Sequence, residues 1–351
     1  MKVGFEAVHG YAPGEVLKVR EHYSYLRPVM DGLSPARRAS ILDNAPMEVR
    51  RLKDVSAAEI MSLVVANGIL ARAGLQAEDI DGLLVAQTGG KQFMPLIASY
   101  IHANLGLDRE IPVRNIVDDD VSLVDAAKIA WSYVSSGQCG RVLIIVVAAQ
   151  IGGQTSFGVD LTDPLAQMFG DGAAAAVVSS QNLLCEFLGY HSETYAVKPR
   201  PGGTLNGNIA PVRALANPQL ASEAGIDDAY GAYLVLEDPL FDAVVGRQGF
   251  MADSLGRAAK KADIRLDRIS TVIAPHIGAL EDVWRKDLAE AGLHREVFRN
   301  SRQKYGDTAV ADVLLSLADL SGAGQIDAGA TIALWAACPG VQQATLMLRW
   351  L

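Results

Sequence analysis

Three ionisable residues stand where a general-base site could form, and they are the side chains of this sequence best suited to chemistry. Asp120 ends an acidic triplet and opens a helical pattern, and Asp307 opens another such pattern. His276 follows a short apolar run that ends in Ala-Pro. A histidine held beside carboxylates can take a proton from a hydroxyl or amine near neutral pH. The three residues are therefore candidate catalytic residues.

An internal repeat suggests how these residues could meet. A helical pattern, a short connection and a strand occupy 57–86, and the same order returns at 250–274. A second helix ends in Ser-Ser-Gly-Gln, with Gly137, before an apolar strand, and its counterpart ends in Gly-Ala-Gly-Gln, with Gly324. Two pairs of elements at nearly one spacing indicate a duplicated βα unit in each half.

The repeat selects the candidate site. Asp120 and Asp307 are as far apart in the sequence as the two helix-ending glycines, and His276 corresponds to Gln87. In open α/β sheets, functional groups collect beyond the carboxyl ends of strands and at helix N-termini. The alternative stays open that each aspartate is only a helix cap and that His276 is a loop residue.

Short β-branched runs alternate with helical periodicity, which is typical of parallel strands joined by helices. We predict an α/β protein with two halves, 1–185 and 186–351. A charged, helix-prone insertion is expected at 20–53. A second insertion, a surface loop or a lid, is expected at 198–232. The clearest strands are 82–86, 142–147, 173–178, 271–274 and 331–335.

Composition limits the class of partner. The chain has 351 residues, 50% of them hydrophobic, and a net charge of −9, which disfavours nucleic acid and anionic membranes. The start has no leader pattern and the longest apolar run, 142–149, is too short to span a bilayer, so we expect a cytoplasmic protein. The scattered cysteines, Cys139, Cys185 and Cys338, indicate neither disulfides nor a metal site.

Four motifs in order resemble ketoacyl-ACP synthase III. The segment PVRNIVDDDVSLVDAAKIAWSYVSSGQ is similar to that family's nucleophile elbow and helix, and FGDGAAAAVV is similar to its FGDGAGAAVL. VIAPHIGAL resembles the family's catalytic-histidine segment with PHQAN, and KYGDTAVAD its catalytic-asparagine segment. The resemblance implies a thiolase fold with five layers, α-β-α-β-α, and a homodimer whose first sheet continues across the twofold axis.

The sequence departs from the family where condensation chemistry is done. The family's nucleophilic cysteine is replaced by Asp120 and its asparagine by Asp307, which as a carboxylate cannot donate a hydrogen bond. The family's Gly-Gly-Gly run, whose middle N–H completes the oxyanion hole, is replaced by Cys338, Pro339 and Gly340. Since proline has no N–H, ordinary condensation is not expected.

Two functions remain open. In the first, His276 is the base of a non-condensing acyl transfer, oriented by Asp307, and Asp120 positions the acceptor or itself attacks the thioester. In the second, the chain is an inert subunit that supports a partner synthase, in a heterodimer with a ketosynthase homologue. Cys139 is a poor substitute nucleophile because it lies in the turn between helix and strand, at the opposite end of the sheet.

The resemblance also implies the ligands. The thioester would be an acyl-CoA or an acyl carrier protein, delivered by its pantetheine arm, with no tightly bound cofactor and no metal. Arg50 or Arg51 is the loose counterpart of the family's nucleotide-binding arginine, and Gly278 beside His276 is a further candidate contact. The alternative for the arginines is a solvated basic side chain.

Overall fold

The computed structural model of the protein describes residues 1–18, 47–52, 54, 56–89, 96–117, 119–149, 169–194, 249–275, 280–294, 298–338 and 342–351. The expected insertion at 198–232 and most of the one at 20–53 lie outside the described residues. The division into halves at residue 185 stays a prediction.

Two five-stranded sheets have the same topology. In each sheet the first three strands in spatial order pair antiparallel, and the third, fourth and fifth are parallel. All five strands predicted from β-branched runs are confirmed. The first sheet is β1 (Gly4–Tyr11), β7 (Gly172–Ser179), β6 (Arg141–Ala149), β4 (Gly82–Gly89) and β5 (Val113–Ile116), and the second is β8 (Cys185–Thr194), β12 (Gln342–Trp350), β11 (Thr331–Cys338), β9 (Thr271–Ile273) and β10 (Phe298–Arg299).

Helices cover the outer face of each sheet and fill the space between the sheets. The helices are α1 (Ala57–Ala73), α2 (Ile97–Leu105), α3 (Ser122–Ser135), α4 (Phe250–Lys261), α5 (Leu280–Glu290), α6 (Arg302–Tyr305) and α7 (Asp312–Gly322). Helices α1 and α2 pack on the first sheet, α4 and α5 pack on the second, and α3 and α7 lie in the shared central core. This arrangement confirms the predicted five layers.

The layers follow from the two-residue period of a strand. In β4, Leu83 and Val85 face the outer helices, while Leu84 and Ala86 face the central layer. All four side chains are fully buried. A strand covered on both faces must be apolar at every position, which is why these strands appear as continuous hydrophobic runs.

The repeat is also visible at helix ends, within the described ranges. Three helices of each predicted half end in a residue with left-handed φ. The residue after it donates its N–H to the carbonyl five residues earlier in the chain, which is a Schellman motif. Only one of these residues, Asp263 with φ 55°, is not a glycine. The α2 and α5 pair was not predicted from sequence. The matched pairs are Gly74 and Asp263, Gly106 and Gly292, and Gly137 and Gly324.

A hairpin replaces part of the expected helix-prone insertion. Strand β2 (Glu15–Lys18) pairs antiparallel with β3 (Glu48–Arg51). The helical expectation is wrong over β3 because Val49 and Arg51 alternate with more exposed neighbours, which gives the strand one buried face. The hairpin brings Arg50 and Arg51 to a defined place in the fold.

Candidate functional site

Asp120 lies in the turn between strand β5 and helix α3. It is the middle residue of the 3-10 turn Asp119–Val121, and α3 begins directly afterwards at Ser122. The residue is partly exposed, while its oxygen Oδ1 is buried. A carboxylate at this place is stabilised by the unpaired N–H groups and the dipole of the helix N-terminus.

Asp307 lies in a turn whose backbone is bonded to Gly170, shortly before strand β7. Its carbonyl oxygen accepts a hydrogen bond of 2.8 Å from the Gly170 N–H, and its Oδ1 accepts one of 2.9 Å from the Ala309 N–H. Ala309 has a left-handed φ of 41°, which is strained for a residue with a Cβ. The helix expected to open at Asp307 begins later, at Asp312, after the 3-10 turn Ala309–Ala311.

The structure brings the two aspartate turns together. The turn Asp119–Val121 packs against the turn Ala309–Ala311, and both contact strand β4. Both turns lie in the central layer, where α3 and α7 start. His276 and Gly278 lie outside the described residues, so their place beside the aspartates stays a prediction. The described residues that precede His276 in the chain are Ala274 and Pro275, which follow strand β9.

Hydroxyl and carboxylate groups fix the segment around Asp307. Asp312 is fully buried, and its Oδ1 accepts hydrogen bonds from Thr308 Oγ1 at 3.2 Å and Ser301 Oγ at 3.3 Å. The Tyr305 hydroxyl donates to Asp319 Oδ1 at 2.9 Å, and Lys304 pairs with the same carboxylate. Helix α7 therefore holds both ends of the loop that carries Asp307.

Asp171 is the site feature that sequence reasoning missed. It is fully buried, its N–H donates to the Arg50 carbonyl at 2.7 Å, and its Oδ2 accepts the Leu52 N–H at 2.9 Å. Gly170, which precedes it, bonds to Asp307. Asp171 lies in the motif FGDG, but the motif alone does not indicate its partners. Asp171 thus connects the β2–β3 hairpin to the Asp307 turn.

The two candidate arginines differ in surroundings. Arg51 is 7% exposed, so it is not the solvated side chain that the alternative supposed. Burial lowers the pKa of its guanidinium, and the carboxylates of Asp171 and Glu15 oppose that shift. Arg50 is partly exposed and donates to Glu48 at 3.4 Å. Of the two, Arg50 is the one that a ligand could reach.

The cysteines with described side chains are unsuited to nucleophilic attack. Cys139 is 3% exposed, donates to the Asp81 carbonyl at 3.3 Å, and burial beside Asp81 raises the pKa of its thiol to about 11. Complete burial raises the pKa of the Cys185 thiol to about 12. A thiol with such a pKa carries almost no thiolate at neutral pH.

The described part of the chain contains neither a metal-binding cluster nor a membrane-spanning helix. No group of three or more His, Cys, Asp or Glu side chains there could hold a metal ion. No helix among the same residues is long and apolar enough to cross a membrane.

Comparison with known proteins gives matches to one family and one fold. The 3-oxoacyl-[acyl-carrier-protein] synthase III family matches residues 121–196. The beta-ketoacyl-[acyl-carrier-protein] synthase III of Staphylococcus aureus strain Newman is 25% identical over 289 residues, which cover 80% of this chain and 80% of that protein.

Solved structures match over the whole chain. The 3-oxoacyl-(acyl carrier protein) synthase III of Pseudomonas aeruginosa PAO1 is 18% identical with a TM-score of 0.73, covering 100% of this chain and 98% of its own. The Aquifex aeolicus synthase III gives 21% and 0.74, with coverage of 99% and 100%. Acetamide-bound OleA of Xanthomonas campestris gives 15% and 0.77, with 100% and 99%. The chain therefore has the thiolase fold and is similar in sequence to 3-oxoacyl-[acyl-carrier-protein] synthase III.

Proposed function

We propose that this protein transfers an acyl group from an acyl-CoA or acyl carrier protein thioester to a hydroxyl or amine, without a cysteine nucleophile and without carbon–carbon condensation. Fatty-acid or secondary metabolism would supply such a thioester. The observation that carries the proposal is the packing of the turn Asp119–Val121 against the turn Ala309–Ala311, whose first N–H is bonded to Asp307. Each turn leads into a central helix. The relatives named above supply the substrate class.

In the proposed reaction, His276 removes the proton from the hydroxyl or amine of the acceptor while the acceptor's oxygen or nitrogen attacks the thioester carbonyl. The carbon–sulfur bond then breaks, and the protonated imidazole returns the proton to the leaving thiolate. Asp307 orients the imidazole and stabilises its charged form. A carboxylate can accept more than one hydrogen bond, so the contact of Asp307 with Ala309 is compatible with this role.

Asp120 is proposed to position the acceptor. Two neighbouring carboxylates repel each other, and a protonated histidine between them would relieve that repulsion. Attack by Asp120 itself would give a mixed anhydride, which is the less favoured form of the proposal. In both forms the thioester sulfur leaves without an acyl-cysteine intermediate.

The inert-subunit function has one observation in its favour. Asp307 Oδ1 accepts the Ala309 N–H, which is a capping contact that needs no catalysis to explain it. In that function the chain would complete the fold of a partner synthase, and His276 would be idle.

The test compares thioester turnover by the wild type, His276→Ala and His294→Ala. His294 is an exposed histidine of the second half and serves as the matched control. If His276 is the base, its loss should lower turnover by ~10²–10⁴ while His294→Ala behaves as wild type. No turnover by any form, with a partner synthase that still needs this chain, would instead support the inert subunit.

A further inference from the structure

A continuous path of hydrogen bonds runs from the β2–β3 hairpin to the Asp307 turn. The Asp171 N–H and Oδ2 bond to the Arg50 carbonyl and the Leu52 N–H, at 2.7 Å and 2.9 Å. One residue earlier, the Gly170 N–H bonds to the Asp307 carbonyl at 2.8 Å. The hairpin strand and the turn are therefore bonded to two successive residues, Asp171 and Gly170, which directly precede strand β7.

We propose that Asp171, hydrogen-bonded to the backbone on either side of the buried Arg51, is a positioning residue that holds Asp307 in place through Gly170. The role of Asp307 that it serves rests on the proposed function. Arg51 then contributes to the structure that supports the site.

The charge of Asp171 is essential to this assignment. The residue is fully buried, and a buried carboxylate is stable only when paired and hydrogen-bonded. Arg51 supplies the opposite charge, with Glu15 as the second carboxylate near that guanidinium. Neutralising Asp171 leaves the buried Arg51 with less opposing charge, which strains the hairpin strand where it is bonded to Asp171, the residue next to Gly170.

A displacement of the Gly170 backbone also displaces Asp307, because Gly170 packs closely against the turn that carries Asp307. A Cβ built on Gly170 would lie 2.0 Å from the Tyr305 carbonyl oxygen and 3.4 Å from a methyl group of Thr308. The Asp307 carboxylate is in turn bonded to the Ala309 N–H, so movement of the turn's backbone also moves its side chain.

The experiment is hydrogen exchange measured on the full chain carrying Asp171→Asn. We expect amide exchange in peptides spanning 303–311 to become at least ~10-fold faster, with exchange in helix α1 unchanged. Glu6→Gln is the matched control, because it breaks another carboxylate–arginine pair, Glu6 with Arg141, in the same sheet. Arg51→Lys is the milder second variant should Asp171→Asn not fold, and it should give a smaller increase at 303–311.

Unchanged exchange at 303–311 in the folded variants would overturn the assignment, as would equal acceleration in every peptide. In thioester assays, Asp171→Asn should lower kcat about 10-fold with little change in KM, because the substrate contacts remain. If the wild type turned over no thioester, the proposed function would be contradicted. The exchange result would still decide whether Asp171 holds the turn that carries Asp307.

Discussion

Replacing Gly170 by alanine tests whether the Asp307 turn is held as tightly as the structure indicates. The added Cβ would lie 2.0 Å from the Tyr305 carbonyl oxygen and 3.1 Å from its carbonyl carbon. Non-bonded carbon and oxygen atoms need roughly 3.2 Å, so the turn must move by about 1.2 Å or β7 must bend away. Both neighbours are backbone atoms, which cannot rotate aside.

The expected cost follows from that displacement. Overpacking of this kind costs about 1–3 kcal/mol, and weakening the Gly170 to Asp307 hydrogen bond adds about 1 kcal/mol. We therefore expect about 3 kcal/mol of lost stability, which lowers Tm by roughly 4 °C in a chain of 351 residues. If Asp307 orients the base, a displacement near 1 Å should also lower kcat by about 10²-fold.

Thermal unfolding and thioester turnover should be measured for Gly170→Ala and for Gly256→Ala. Gly256 lies within helix α4 with no atom near its would-be Cβ, so the control should gain about 0.5–1 kcal/mol. A Gly170→Ala protein as stable as wild type would refute the reasoning about the turn. Lost stability with undiminished turnover would refute the role of Asp307.

Three further predictions concern stability and assembly. The buried hydroxyl of Thr88 has no hydrogen-bond partner in the described structure, so Thr88→Val should raise stability by about 1 kcal/mol, and a lower Tm would contradict this. Burial lowers the pKa values of His9 and His191 below 6.5. The stability that the two neutral imidazoles contribute is therefore present above pH 6.5 and is lost as the pH falls through their folded-state pKa values. The urea midpoint of unfolding should fall over that pH range, and a rise would count against the prediction. The family resemblance implies a homodimer whose first sheet continues across the twofold axis, and that sheet ends in the edge strand β5. A monomer found by light scattering at micromolar concentration, with no co-purifying homologue, would count against it.

The strands and the layers were predictable because burial on both faces leaves a strong pattern. Runs such as the one in β6 must be apolar throughout, and the glycines at 137 and 324 are required by left-handed φ at helix ends. Hence the repeat could be found without a structure. The same reasoning predicted Asp120 and Asp307 at matching helix starts, and the structure corrects this for Asp307, because α7 begins only at Asp312.

What sequence reasoning missed depends on tertiary contacts. Strand β3 lies in a charged stretch with helical propensity, and only pairing with β2 selects the extended form. Asp171 could not be assigned because its partners, the backbone at Arg50 and Leu52, are remote in sequence. The delayed start of α7 follows from the strained turn at Ala309, which no local signal marks.

The most direct test of acyl transfer without a cysteine uses the wild type and Cys338→Ala with a panel of acyl-CoA thioesters. Release of free CoA and the intact protein mass are followed together, before and after iodoacetamide treatment. We predict that both proteins release CoA at similar rates and that neither carries an acyl group on a cysteine. A mass increase equal to the acyl group, mapped to a cysteine, or loss of turnover in Cys338→Ala would contradict the account.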